Sequence, residues 1–554
     1  MTPQTEVLVK LAFTAAGLVL IVVRRDAIAR SGKAGAALTL LAVMAPAVYF
    51  NFFTFHQGRF THFGENFHYQ LGSKYFPELG YDGLYEASVA AQAMSTPRLP
   101  LPRMIRDLRT NTIVPVRAVD EQREAVIRRF TPARWRSFVA DHQAFLEPAY
   151  AHYLNELRLD HGYNPTPAWT FVGRLFNAWL PLDSTTIGLL ALLDWVLLGA
   201  MFWIVLRTYG GAVGAVALVV FGAGYPWRYD WVGGGFLRYD WLFALVVGIC
   251  LLKQRRFAAS GALVAYAAAV RIFPALLVIG LVPAVARALV RRSTLAWAWR
   301  FAAGLGCGAA AMFLAGALAG RGFAAWPEFV RDIEKHHGTW STNTAGLELV
   351  FVTTPSTMLS RLPESTPLPE RWAAWQAEMN RTQAERRPLY LVTALVLVAG
   401  VCAAAWGRRR DEGVAVGVVA VFAGLVLSCY YWVALVTLSF RRGIGGAGAV
   451  LAANAAALAT ALATDDTQVI FLVFSWALLA ALAVLLGWDV AAAARSGWAA
   501  APEDDGREAA QPSAGGRRPA RERTARQRAS ASGTRADAAA PTHGPLAADP
   551  LPSL

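Results

Sequence analysis

The chain predicts an all-α, polytopic membrane protein, and three observations carry that expectation. Hydrophobic residues make up 55% of its 554 positions and charged ones only 16%, a balance that soluble domains of this length do not carry. Mostly apolar runs, of the length a bilayer demands of a helix, recur from residue 6 to residue 487. Arginine and lysine gather in short clusters between those runs and in the tail, so topology rather than nucleic acid accounts for the net charge of +14. The expected architecture is a bundle of about 11–13 transmembrane helices with two large extracytoplasmic loops. Residues 1–487 form the integral domain and 488–554 a basic cytoplasmic tail.

The first run, Val7 to Val23, lacks a basic region before it and a small-residue cleavage site after it. It reads as a retained span rather than a signal peptide. Spans are expected over 6–23, 34–54, 186–206, 211–225, 236–252, 257–271, 273–290, 297–319, 389–406, 412–427, 428–440, 446–463 and 467–487. The basic clusters Arg24–Arg25, Lys253–Arg256, Arg291–Arg292, Arg408–Arg410 and Arg441–Arg442 all become cytoplasmic if the N-terminus lies outside. That orientation requires 412–440 to cross twice, breaking near Ser428 and Tyr431.

Residues 55–185 and 320–388 then face outside. The first loop holds amphipathic helical patterns, Glu121 to Arg129 and Trp135 to Leu157, punctuated by GYNPTPAW (162–169), whose prolines stop a helix. Such helices suit the membrane surface. The tail, with RRPARERTARQR (517–528) as its most basic part, lacks apolar periodicity and reads as disordered, suited to anionic lipid. Cys250, Cys307, Cys402 and Cys429 all fall inside apolar runs with no disulfide or zinc spacing, which marks them as packing residues.

Of nine histidines, eight lie on the two outer loops and one, His543, in the tail, which directs attention to the outer face. There the stretch HFGENFHYQLGSKYFPELGYDGLY (62–85) follows a span directly. Glu65, His68 and Asp82 can accept a proton, and Lys74 and Arg59 can neutralise an anion; a partly desolvated carboxylate here suits a general base toward a hydroxyl. Asp82 in Asp-Gly has the character of a turn residue. His56, His62 and His68, six residues apart, neither stack on a helix nor alternate on a strand, so no metal site is expected.

Three further clusters stand out. In YPWRYDWVGGGFLRYDW (225–241) Arg228 can pair with Asp230 and Arg238 with Asp240, but an arginine beside a glycine turn also suits a phosphate. In RIFP (271–274) Arg271 ends one span and proline restarts the next, and ionisable groups so placed are costly unless they are used. KHHGTWSTNTAGL (335–347) is rich in donors for phosphate or sugar.

These residues, in this order, resemble the C-type membrane glycosyltransferases that use polyprenyl-phosphate sugars, most closely the bacterial mannosyltransferase-like glycosyltransferase family 87. That family has an acidic residue at the start of the first outer loop, then Tyr, Gly and Gly-x-x-Tyr; the similar run here is Glu65, Tyr69, Gly72, then Gly83 and Tyr85, one residue tighter. GGGFLRYDWL (233–242) with KQRR (253–256) is similar to its Gly-rich turn and basic loop, Arg271 and Pro274 to its basic residue before proline, where Lys is usual. His336, Asn343, Gly346 and SCYYW (428–432) are similar to its later elements.

The resemblance covers about residues 50 to 440 through short motifs whose order is their specific feature. It implies inverting transfer of a mannose-like sugar from a polyprenyl-phosphate donor to a lipid, glycan or protein hydroxyl. The site would face the outside of a bacterial cytoplasmic membrane and use neither cofactor nor metal. The implied base is Glu65 or Asp82; Arg238, Arg271, Lys74 and His336 would hold the donor phosphate. His68, Tyr69 and Asn343 would meet acceptor or sugar; the Asp160–His161 pair, outside the family pattern, is a further candidate for the acceptor. The chain departs from the family in having Glu where Asp is usual, an additional span before the loop, and LDHGYNPTPAW (159–169) without a counterpart. A transporter or lipid flippase is the competing class, but it predicts internal repeats and charges at mid-membrane. The sequence has no repeat and gathers its polar groups in the outer loops.

Overall fold

A computed structural model describes residues 2–23, 32–56, 58–95, 99–147, 150–443, 445–495 and 497–498. Arg24–Arg25 and the tail from residue 499 lie outside the described residues. Eight helices among those described are long and apolar enough to cross a membrane: Pro3–Val22, Gly32–Tyr49, Ser184–Tyr209, Phe273–Val290, Ala296–Ala317, Leu368–Ala405, Gly445–Ala463 and Thr467–Arg495. Gly211–Gly222, Phe257–Val270 and Cys429–Phe440 are shorter apolar helices. The chain is therefore a multi-pass α-helical membrane protein. Leu40, Val43, Val196, Trp203, Leu395, Val396 and Val484 are exposed on the spans, a surface suited to lipid rather than water.

Small residues let the helices meet. A Cβ on Gly304 would lie 1.9 Å from the Ala258 carbonyl, and one on Gly261 2.1 Å from that of Phe301, so Phe257–Val270 and Ala296–Ala317 cross at backbone contact. The first helix belongs to this core: Gly17 faces Val219 and Leu451.

The expected reversal within 412–440 is present, with its turn at Leu425–Ser428. Helices Arg410–Val416 and Val418–Gly424 lead to the strand Leu427–Ser428, which pairs antiparallel with Thr344–Ala345. A 3₁₀ helix, Cys429–Phe440, runs back, so that Thr437 Oγ1 lies 3.3 Å from the Ala415 carbonyl and the Arg442 N–H 3.2 Å from Glu412. At about 2.0 Å per residue a 3₁₀ helix reaches about a third further than an α-helix of equal length, which helps a short segment span an apolar layer.

Other boundaries shift. The expected span 389–406 is the second half of one continuous helix, Leu368–Ala405, so the end of the second outer loop is helical. The helix expected from 236 starts at Asp240, after an irregular turn. The pattern Trp135 to Leu157 is two helices, Pro132–His142 and Ala151–Leu157. The first loop also holds a hairpin, Met104–Asp107 with Thr112–Pro115. Pro167 starts a helix instead of stopping one, because Thr166 caps it by accepting the Trp169 N–H at 3.1 Å.

Charged groups separate to two ends of the bundle. At one, Lys253 lies 3.8 Å over the Tyr209 ring, whose hydroxyl donates to Asp411 at 2.9 Å. There Arg408 meets Asp489 at 2.7 Å, Arg441 also pairs with Asp489, and Arg287 donates to the Trp406 carbonyl. Of the clusters expected on one membrane side, those holding Lys253, Arg408 and Arg441 thus share an end. Residues of 55–185 lie at the opposite one: the helix Phe257–Val270 begins beside Arg410 and is closed by Arg271 next to Tyr69.

Candidate functional site

Glu65 is delivered by a short helix, Phe63–Asn66, whose N-cap His62 accepts the Glu65 N–H through Nδ1 at 3.2 Å. Asn66 and the His62 N–H both bond the Gly234 carbonyl, tying this helix to the glycine turn of residues 233–235. Gly234 has φ +71°, and a Cβ there would lie 1.7 Å from the Phe60 carbonyl; only glycine allows the two segments to touch. A Cβ on Gly235 would lie 3.1 Å from that of Glu65 and 2.9 Å from Arg238 Cγ.

The consequence is an ion pair that joins the first loop to the turn: Glu65 Oε2 lies 2.7 Å from Arg238 Nε, with side-chain exposures of 15% and 1%. Burial pushes the Glu65 carboxyl above its ordinary range, against the opposing pull of Arg238. The anticipated Arg238–Asp240 pair does not form. Asp240 instead accepts the Tyr266 hydroxyl at 2.9 Å, whereas Arg228 does meet Asp230, at 3.4 Å.

The segment Phe67–Leu71 is a π-helical turn, a local irregularity that re-aims side chains and is frequent at functional sites. It carries Tyr69, whose ring lies 3.9 Å from the Arg238 guanidinium carbon and 5.9 Å from that of Arg271. Tyr430 flanks Arg238 at 5.2 Å; Trp169 and Tyr431 flank Arg271 at 5.6 Å and 5.9 Å. Arg271 itself is 7% exposed. Its Nη1 donates to the Val270 carbonyl at 2.8 Å, and its Nε and Nη2 have no hydrogen-bond partner among the described residues. A buried guanidinium with two free N–H groups in an aromatic surround is prepared for a planar or tetrahedral oxyanion.

His68, on the same turn, bonds the Tyr85 hydroxyl at 2.9 Å, and that hydroxyl accepts the Gly162 N–H. Burial holds the imidazole below its ordinary range, against the opposing pull of Asp160. Asp160 lies within electrostatic reach of Glu65 and His68, is exposed and forms no ion pair among the described residues. His161 Nδ1 is 3.0 Å from Asn111 Oδ1, and its ring meets that of His336 edge-on at 5.3 Å. This row links the two outer loops, with Asn111 donating to Thr339 at 2.8 Å.

Three expected residues have other partners. Asp82 faces Arg129 at 3.2 Å and Arg109 at 3.5 Å, which leaves Glu65 as the carboxylate paired with Arg238. Lys74 is buried against Asp141 and the Leu180 carbonyl, each at 2.5 Å, so its ammonium is already neutralised. His336 lies 3.3 Å from Asp332 and joins the His161 row rather than the arginines. Asn343 stands just before the strand pairing: its carbonyl accepts the Cys429 N–H at 2.7 Å, fixing the start of the segment that bears Tyr430 and Tyr431.

Sequence reasoning passed over Asp194. It interrupts the apolar run LLALLDWVLLG, and an isolated carboxylate inside a span was the signal available.

Fold and site together define a class: a polytopic α-helical membrane protein with a carboxylate–arginine centre at one end of its bundle. No protein-family model, curated protein or solved structure matches the chain.

Proposed function

We propose that the chain is a C-type membrane glycosyltransferase that moves a sugar from a lipid-phosphate donor to a hydroxyl acceptor. One observation carries the reading: Arg271, nine-tenths buried, keeps two N–H groups unpartnered beside the Glu65–Arg238 pair. A buried, unsatisfied guanidinium is costly, and an anionic ligand that completes it relieves that cost.

In the proposed reaction the acceptor hydroxyl gives its proton to Glu65 as its oxygen attacks the anomeric carbon from the face opposite the lipid phosphate. The new C–O bond forms while the bond between the anomeric carbon and the phosphate oxygen breaks, inverting the centre. The departing phosphate carries the electron pair onto an oxygen held by Arg271 and Arg238. It leaves as an anion, so it needs positive charge more than a proton. Tyr69 and Trp169 offer faces against which a sugar can stack, and Asp160 with His161 lies on the acceptor side. The lipid tail would occupy grooves between spans, and the opposite, arginine-rich end would face the cytoplasm of a bacterial cell.

Turnover of polyprenyl-phosphate mannose by membranes holding the wild-type chain, Glu65→Gln or Arg271→Ala tests the reading. Transfer by the wild type that both substitutions abolish supports it. A wild type that moves the intact lipid across the bilayer without cleaving it supports the flippase alternative instead.

A further inference from the structure

Asp194 lies within the membrane-spanning helix Ser184–Tyr209 and is 2% exposed. Its carboxylate makes no ion pair among the described residues. Both of its oxygens accept backbone N–H groups: Oδ2 that of Arg238 at 2.9 Å, and Oδ1 that of Tyr239 at 3.1 Å. The turn so held is a strained one. Leu237 has φ +51°, a left-handed conformation that side chains other than Gly, Asn and Asp rarely adopt.

The rest of the turn is fixed just as fully. Trp169 Nε1 donates to the Leu237 carbonyl at 3.1 Å, Trp241 Nε1 donates to the Arg238 carbonyl at 3.0 Å, and the Tyr239 and Tyr49 hydroxyls meet at 2.7 Å. The Asp194 carboxyl bonds to backbone alone, leaving the Arg238 guanidinium directed to Glu65 and Tyr69.

We propose that Asp194 is a positioning residue: its carboxylate, by accepting two successive N–H groups, holds the strained Leu237–Tyr239 turn that aims Arg238 at the donor phosphate. This rests on the lipid-phosphate reading above. A carboxylate is the group the geometry asks for, because asparagine offers one acceptor oxygen and turns an amide N–H₂ toward the second N–H. A merely structural residue would lower binding independently of Arg238, whereas a positioning residue acts through that guanidinium.

The test uses the full chain in lipid nanodiscs and a short-chain polyprenyl phosphate as probe, with binding read by tryptophan fluorescence. Asp194→Asn should weaken binding about tenfold, the scale of a misplaced positioning contact. Arg238→Ala should weaken it as well, and the double variant should bind no more weakly than Arg238→Ala alone, because the two act through one guanidinium.

Asp194→Asn binding within twofold of wild type beside an impaired Arg238→Ala, or fully multiplicative losses in the double variant, overturns this proposal alone. A wild type that binds no lipid phosphate overturns the donor reading and this proposal with it. Should Asp194→Asn fail to fold, Asp194→Glu is read in its place. It keeps both acceptor oxygens but displaces the turn by a methylene, and wild-type binding by that variant overturns the proposal.

Discussion

Arg271→Ala separates a substrate-binding arginine from a structural one, because the two roles predict opposite changes in stability. The guanidinium has one hydrogen bond, to the Val270 carbonyl, and two unpartnered nitrogens. Hydrogen bonds to charged groups contribute about 1.5–3 kcal/mol each, so two bonds to a phosphate give about 3–6 kcal/mol, or roughly 10²–10⁴ in kcat/KM. The same substitution removes a buried charge that forms no direct ion pair among the described residues, so the protein assayed without lipid phosphate should unfold at the same temperature or higher. Arg271→Lys keeps the charge but not the fork and should lose about tenfold. The assay pairs steady-state turnover of a polyprenyl-phosphate sugar in nanodiscs with thermal unfolding in the absence of lipid phosphate. Turnover by Arg271→Ala within threefold of wild type refutes the reasoning, as does a clear fall in its unfolding midpoint.

The remaining expectations concern the base, its rival and the floor of the site. Glu65→Gln should cut turnover by about 10²–10⁴ while the chain still folds, the range of a lost general base. Only the ionised carboxylate can take a proton, and burial raises its pKa, so the wild-type rate should rise with pH through a value above that of an ordinary glutamate. A limb at or below the ordinary glutamate value counts against Glu65. The linked stability runs the other way: the raised carboxyl favours the folded chain at low pH, and that contribution is lost as pH rises through the folded value. Asp82→Asn should leave turnover within threefold, because its carboxylate faces Arg109 and Arg129 at 32% exposure, where such pairs contribute about 0–1 kcal/mol. Gly346→Ala should lower turnover and unfolding temperature together: Gly346 has φ +152°, and a Cβ there would lie 2.4 Å from the Leu425 carbonyl. Relief of that clash must part the strand pairing that sets Tyr430 and Tyr431. An alanine variant equal to wild type in both measurements shows that this pairing does not hold the site.

The membrane architecture was legible because the bilayer imposes it on composition. Runs of apolar residues and the arginines between them give both the spans and the end at which Lys253, Arg287, Arg408 and Arg441 gather. Boundaries were less legible wherever a helix continues into water. The helix Leu368–Ala405 passes from a charged half, with Arg381 between Glu378 and Glu385, to an apolar half, and hydropathy registers only the second. The 3₁₀ geometry of Cys429–Phe440 was invisible for another reason: length and hydrophobicity are shared by both helix types, and the choice depends on neighbours distant in sequence.

The site divides in the same way. Glu65, Tyr69, Arg238 and Arg271 could be singled out locally, since each is a polar or aromatic group where an apolar run ends. Which of them pair could not. Arg238 has Asp240 two residues away, yet meets Glu65 from 173 positions earlier in the chain, because the glycine turn lets the first loop approach its backbone and Asp194 takes the adjacent N–H groups. Lys74 looked available for the same reason in reverse: its counter-ion, Asp141, lies on a helix 67 residues later. For a buried charge the deciding question is which opposite charge the fold brings to it, and sequence proximity is a poor guide in an apolar bundle, where an unpaired ion is too costly to persist without a use. On that argument a residue that resists a structural explanation is Arg271, which stands among the rings of Tyr69, Trp169 and Tyr431 and within electrostatic reach of Asp240, yet forms no direct ion pair among the described residues. An anionic ligand is the partner that its surroundings leave out.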